Sequence, residues 1–284
     1  MYAVLALLLH PAAQLGPIGF SVHPSTVIGI AALAALYVWR AAHAEGPHPS
    51  PSPAQRIFFF AGLLVMFLSL NGPLHDLSDY SLFSAHMVQH LILTLLLPPL
   101  LIAGTPGWML RPALRVPAVR AAALWLTRPT HAFAIFNVTF AAWHLPVLYN
   151  LAMADHNVHI AEHLMFMVTA VLMWWPLMSP MPELPRLSYP GQMLYCFLMS
   201  LPMSIVAIYI TMADHLLYPA YANAPRVWGI LPLADQQLGG LIMWIPGGLV
   251  FYGVTAVVFF KWAGRGVDDQ AGAQVNWVGE RAVE

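Results

Sequence analysis

Charge is scarce in this 284-residue chain. Only 8% of its residues are Asp, Glu, Lys or Arg, where a soluble domain carries about 25%. With 60% of residues hydrophobic, lipid rather than one large core is the main apolar surrounding, and the class is a polytopic membrane protein. A net charge of −1 supplies no basic surface and argues against a nucleic-acid partner. Cysteine is limited to Cys196, which excludes a disulfide framework and a CxxC metal motif. The apolar start, "MYAVLALLLH", has no basic residue ahead of it and no clear A-x-A site, so a cleaved signal peptide is not favoured. At about 1.5 Å per residue it is also too short to span as a helix.

Histidine and methionine are what the chain has in excess. Its 13 histidines outnumber the 11 lysines and arginines together, and there are 15 methionines. Seven apolar segments are long enough to cross a bilayer: 25–42, 55–72, 82–103, 130–150, 157–178, 190–212 and 235–261. The predicted fold is therefore all-α, a polytopic transmembrane helix bundle of seven spans. Its parts are an outward N-terminal segment 1–24, a membrane domain 25–262 and a C-terminal tail 263–284. Arg40 and Arg56 flank the first connector, and Arg111, Arg115, Arg120 and Arg128 fill the third. Arg186 lies in the fifth, and Lys261, Arg265 and Arg281 follow the last span, while Arg226 alone falls on the other side. The positive-inside rule then sets the N-terminus outside and the C-terminus in the cytoplasm.

On that topology the histidines collect near the outer surface. His86 and His90, in "FSAHMVQHLIL", lie within the first ~12 Å of the third span. His144 sits ~9 Å below the outer end of the fourth, and His159 and His163 within the first ~9 Å of the fifth, with His156 at its mouth. Residues i and i+4 share a helical face, so His86 pairs with His90 and His159 with His163. Five imidazoles from three helices are thus expected to converge on one ion such as copper, zinc or iron. His75 and Asp76 in the outer loop, Met153, Met212 and His215 are candidates for a loading route or roof. Met87 and those methionines would bias the site toward Cu(I), although a methionine more often fills a gap in a core. Cys196 is expected near the cytoplasmic end of its helix, away from the site. His43, His48 and His131, on the cytoplasmic side, read as ordinary hydrogen-bonded histidines. Intramembrane ionisable groups are costly, which is the reason for reading the five deep ones as functional.

Smaller features surround this cluster. Pro146 frees the carbonyl of Ala142 and is expected to kink the fourth span. Gly240 and Gly247 permit close helix contact in the seventh. Asp235 and Gln236 are candidates for hydrogen bonds that orient ligand imidazoles, or, for Asp235, a helix cap. "HIAEH", 159–163, matches a zinc-peptidase pattern, and a hydrolase would need Glu162 pointing into the site.

The strings "HMVQHLILTLLLPPLLIAGTP", "WHLPVLYN", "WWP", "LYPAY" and "DQQLGGLIMW" occur in the order found in CtaG-type cytochrome c oxidase assembly factors, and the chain resembles that family from about Asn71 to Lys261. The resemblance implies a non-enzymatic role in maturing a heme–copper oxidase of the caa type at the bacterial plasma membrane. It implies oxidase subunits as partners and the oxidase's copper centre as what is matured; that the chain itself handles Cu(I), received from a periplasmic copper donor, is the expectation the histidine cluster adds. The family's positions carry over onto His86, His90, His144, Asp235 and Gln236; His159 and His163 rest on depth and spacing. Rival readings are a heme-binding electron-transfer protein with paired imidazoles as axial ligands, and a metal-free assembly scaffold.

Overall fold

The computed structural model describes residues 20–43 and 48–281, and the side chains of those up to Gly264. Of the expected outward segment 1–24, residues 1–19 lie outside that description. The described residues are helical, with no strand among them. The helices are α1 (Pro24–Ala42), α2 (Pro53–Leu70), α3 (Pro73–Tyr80), α4 (Phe83–Gly104), α5 (Pro117–Leu126), α6 (Pro129–Trp143), α7 (Pro146–Ala154), α8 (His156–Met178), α9 (Tyr189–Thr211) and α10 (Pro232–Arg281). Most start on proline, whose fixed φ and missing N–H suit the first helical position. At α2 the start is reinforced by a capping box. The Gln55 amide N–H reaches Ser52 Oγ (3.2 Å) and the Ser52 N–H reaches Gln55 Oε1 (2.9 Å).

Six helices are long and apolar enough to cross a membrane, and α6 with α7 makes a seventh if the bent pair counts as one span. The bend between them is 71°. Its cause is Pro146. The carbonyl of Ala142 loses its helical donor and is taken by the N–H of Leu145 (3.1 Å). The expected continuous span 130–150 is thus two helices meeting at His144. A second proline effect shapes α4, which runs π-helical over Ile92–Leu96. Pro98 and Pro99 leave the Thr94 carbonyl without a donor in either the α or the π register. Trp174 Nε1 of α8 supplies one at 2.9 Å, which joins α4 to α8 just below the histidines.

Close approach elsewhere depends on glycine. A Cβ on Gly240 would stand 2.4 Å from Thr211 Oγ1, and one on Gly247 would stand 2.6 Å from Met203 Sδ, so α10 lies directly on α9. A Cβ on Gly104 would stand 2.4 Å from the backbone nitrogen of Phe59, which sets α4 against α2. The main core runs through α4, α6, α8, α9 and α10, and includes Phe83, Phe136, Phe166, Met173, Met199 and Phe251. α1 stands at the edge, with Tyr37 as its one buried residue.

Candidate metal centre

The start of α4 is fixed from 150 residues away. Asp235 of α10 accepts the backbone N–H groups of Phe83 (2.6 Å) and Ser84 (3.3 Å) and the Ser84 hydroxyl (2.5 Å). A carboxylate there satisfies unpaired N–H groups and faces the positive end of the helix dipole. On the helix so anchored, His86 and His90 stand one turn apart on the buried face. Asp155 does the same for α8, where its Oδ1 accepts from Asn157 (2.8 Å) and Val158 (3.3 Å). His156, His159 and His163 then line one face. The bend at Pro146 ends α6 at His144.

Four of the five predicted deep histidines, His86, His90, His159 and His163, come together, and His144 stands beside His90. His86 Nε2 and His90 Nε2 are 2.8 Å apart. Ring centroids lie 5.3 Å apart for His86–His159, 5.2 Å for His90–His163 and 6.2 Å for His90–His144. Ligand atoms of His86, His159 and His163 lie within 4.8 Å of one another, as do those of His86, His90 and Glu162. Nitrogens around one tetrahedral ion with bonds of about 2.0–2.1 Å stand about 3.3 Å apart.

The hydrogen bonds leave lone pairs facing inward. His144 Nδ1 donates to the Phe140 carbonyl (2.7 Å), so its Nε2 carries the lone pair. Tyr221 donates its hydroxyl to the Ser78 carbonyl (2.7 Å), and its oxygen accepts from His86 Nδ1 (3.3 Å) and Tyr149 (2.9 Å). Burial pushes the Tyr221 phenol well above its usual pKa, so it remains a neutral donor. His86 is therefore also set with Nε2 toward the cluster.

His90 Nδ1, His144 Nε2, His159 Nε2, His163 Nε2 and both Glu162 oxygens are buried without a hydrogen-bond partner. Orphaned buried polar atoms cost about 1–3 kcal/mol each. They call for a partner: a proton, a water that donates a hydrogen bond, or a metal ion. The donor chemistry, imidazole with one carboxylate, fits copper or zinc.

The remaining predicted residues divide. His75 Nε2 faces Asp79 Oδ2 at 3.4 Å, and the same oxygen faces His159 Nδ1 at 3.7 Å. Asp79 lies outside the spans. Burial pushes its carboxyl up, yet the facing imidazoles of His75, His159 and His86 hold it below its ordinary pKa. Asp76 accepts from the backbone and hydroxyl of Ser21, tying the approach to α1 onto α3. His156 stacks on His23 with centroids 5.9 Å apart. Met153 Sδ lies 3.8 Å from the Tyr221 hydroxyl. Met212 is 67% exposed, and the exposed His215 ring pairs with its neighbour Asp214 at 2.7 Å, so both stand on the surface. Met87 packs toward Gly239 of α10. Asp235 binds backbone and the Ser84 hydroxyl, and Gln236 binds backbone; neither binds imidazole. Gln236 Oε1 accepts from Leu217 (2.7 Å) and its Nε2 donates to the His215 carbonyl (3.2 Å), holding the loop that carries Tyr221.

Sequence reasoning missed Asp79 and Tyr221 and gave Glu162 only to a hydrolase. Asp79 had a signal in its i+4 spacing from His75, and Glu162 in its i+3 spacing from His159. Tyr221, in a loop, had none.

The fold and this centre define a multi-pass helical membrane protein with a buried histidine–carboxylate cluster at one end of its bundle. The chain belongs to the cytochrome c oxidase caa3 assembly factor family, Caa3_CtaG, whose sequence model matches residues 32–265. It is also similar to two uncharacterized proteins, one from Mycobacterium bovis and one from Mycobacterium tuberculosis. Each is 27% identical over 202 residues, which cover 64% of this chain. The chain spans about a third of the length of these relatives, the matched stretch being 30% of each. No solved structure matches the chain.

Proposed function

We propose that this protein matures a heme–copper oxidase in the bacterial plasma membrane by holding a copper ion as cargo and passing it to an oxidase subunit. The ion rests on His86, His90, His144, His159 and His163, with Glu162 as an anionic ligand. The observation that carries this reading is the grouping of buried ligand atoms from α4 and α8, His86 with His159 and His163 and His86 with His90 and Glu162, with His144 of α6 beside His90. Family membership supplies the oxidase, and the oxidase's copper supplies the choice of metal. The methionine argument for Cu(I) contributes less, since only Met153 of the three comes near, and that through Tyr221. No substrate bond is made or broken, so the role is that of a carrier, with a periplasmic donor supplying the ion. The basic stretch that follows α4, from Arg111 to Arg128, lies at the end opposite the histidines and supports an outward-facing cluster.

A heme reading fits less well. Axial imidazoles from facing helices need room for a macrocycle between them, whereas the rings of His86 and His159 and of His90 and His163 have centroids only 5.3 and 5.2 Å apart. Glu162 favours a second reading, a zinc hydrolase, because it is 1% exposed and grouped with His86 and His90. Zinc rather than copper in the purified protein would select it.

The test is complementation. In cells lacking this chain the oxidase should assemble depleted in copper, and the wild type should restore it. The His86→Ala/His90→Ala variant should fail. Full restoration by that variant would refute the proposal.

A further inference from the structure

One cavity of about 600 Å³ lies between α1, α2 and α8. Its polar wall holds His23, His75, His156, His159 and His163, and Ser25 and Thr26 continue that wall along the first turn of α1. Two of the lining residues, His159 and His163, are the ones that reach the deep cluster. The expected roof residues, Met212 and His215, do not line this cavity.

We propose that the metal ion enters the cluster laterally through this cavity, with His23, His75, His156 and the Asp79 carboxylate forming a vestibule. This rests on the metal-carrier reading above. The steps are short. His23 and His75 stand 4.5 Å apart by ring centroids. Asp79 Oδ2 bridges His75 and His159 at 3.4 and 3.7 Å. From His159 the centroids of His163 and His86 are 4.5 and 5.3 Å away. A buried carboxylate midway attracts a cation, while exchangeable imidazoles on either side allow it to move by ligand exchange. The outer wall is α1, which packs lightly, and Gly29 on the cavity side has nothing within 4 Å of where a Cβ would lie.

Copper uptake from a weak chelator, followed by stopped flow in the full-length protein, tests the route. Gly29→Trp fills the cavity from the peripheral helix, on the wall opposite His159 and His163 of α8. Uptake should slow by about tenfold or more, the effect of an added barrier of about 1.4 kcal/mol, with equilibrium copper content as in the wild type. Asp79→Asn should slow uptake in the same direction. Gly29→Cys, labelled with a bulky methanethiosulfonate after folding, separates blockage from misfolding, because native Cys196 is fully buried. Wild-type uptake rates in the labelled and Gly29→Trp proteins would overturn the route and leave the carrier reading standing. Slowing by Met212→Ala/His215→Ala instead would do the same. A wild type that retains no copper would overturn both.

Discussion

α1 and α4 are both apolar enough to cross a membrane, yet they have opposite surroundings. Of its most apolar stretch, α4 buries 56%, as does α8, whereas α1 buries 6%. The polar load follows that division. His86 is fully buried and Glu162 is 1% exposed, while α1 turns Ile28, Leu36, Val38 and Trp39 outward. A charged or hydrogen-bonding side chain in a bilayer is tolerated where protein surrounds it, so hydrophobicity makes the span and burial makes the site. The polar start of α1, Ser25 and Thr26, is the part that meets the vestibule.

Substitutions matched between the two regions sharpen that contrast. The largest effect is expected for His86→Ala/His90→Ala, which should weaken the tightest copper affinity at least about a hundredfold, since losing an orienting partner alone costs 10–100-fold. Leu36→Ala on α1 should leave affinity unchanged in the same competition assay. Next comes Gly104→Val, whose side chain would meet the backbone of Phe59 and should destabilise by about 1–3 kcal/mol. Gly29→Val, with open space around it, should not, as read by thermal unfolding in detergent. Smallest is Asp235→Ala, which removes the cap from α4 and should cost about 1 kcal/mol. Equal losses at Gly29 and Gly104 would erase the distinction between edge and centre.

The same division explains what could be read from the sequence. Spans and their order were legible because lipid demands long apolar runs, and the boundaries agree within a few residues except at the end of α10, whose helix continues past the expected 261 to Arg281. Five deep histidines were legible because depth and the i, i+4 rule both act within single helices. The bend at His144 was legible because Pro146 removes a particular hydrogen bond. Contacts between distant segments were not. Asp235 reaching Phe83, Gln236 holding the Tyr221 loop, and Met87 turning to Gly239 instead of to the histidines all depend on how helices are rotated against one another. His23 shows the same limit, since nothing near it in sequence reveals that it adjoins His75 and His156.

The central claim is that imidazoles from α4, α6 and α8 share one ion. Copper X-ray absorption on protein loaded with a single equivalent tests it most directly. The account predicts a nitrogen and oxygen shell with at least three imidazoles, lost in the His86→Ala/His90→Ala variant. A sulfur-dominated shell, or an unchanged spectrum in that variant, would contradict it.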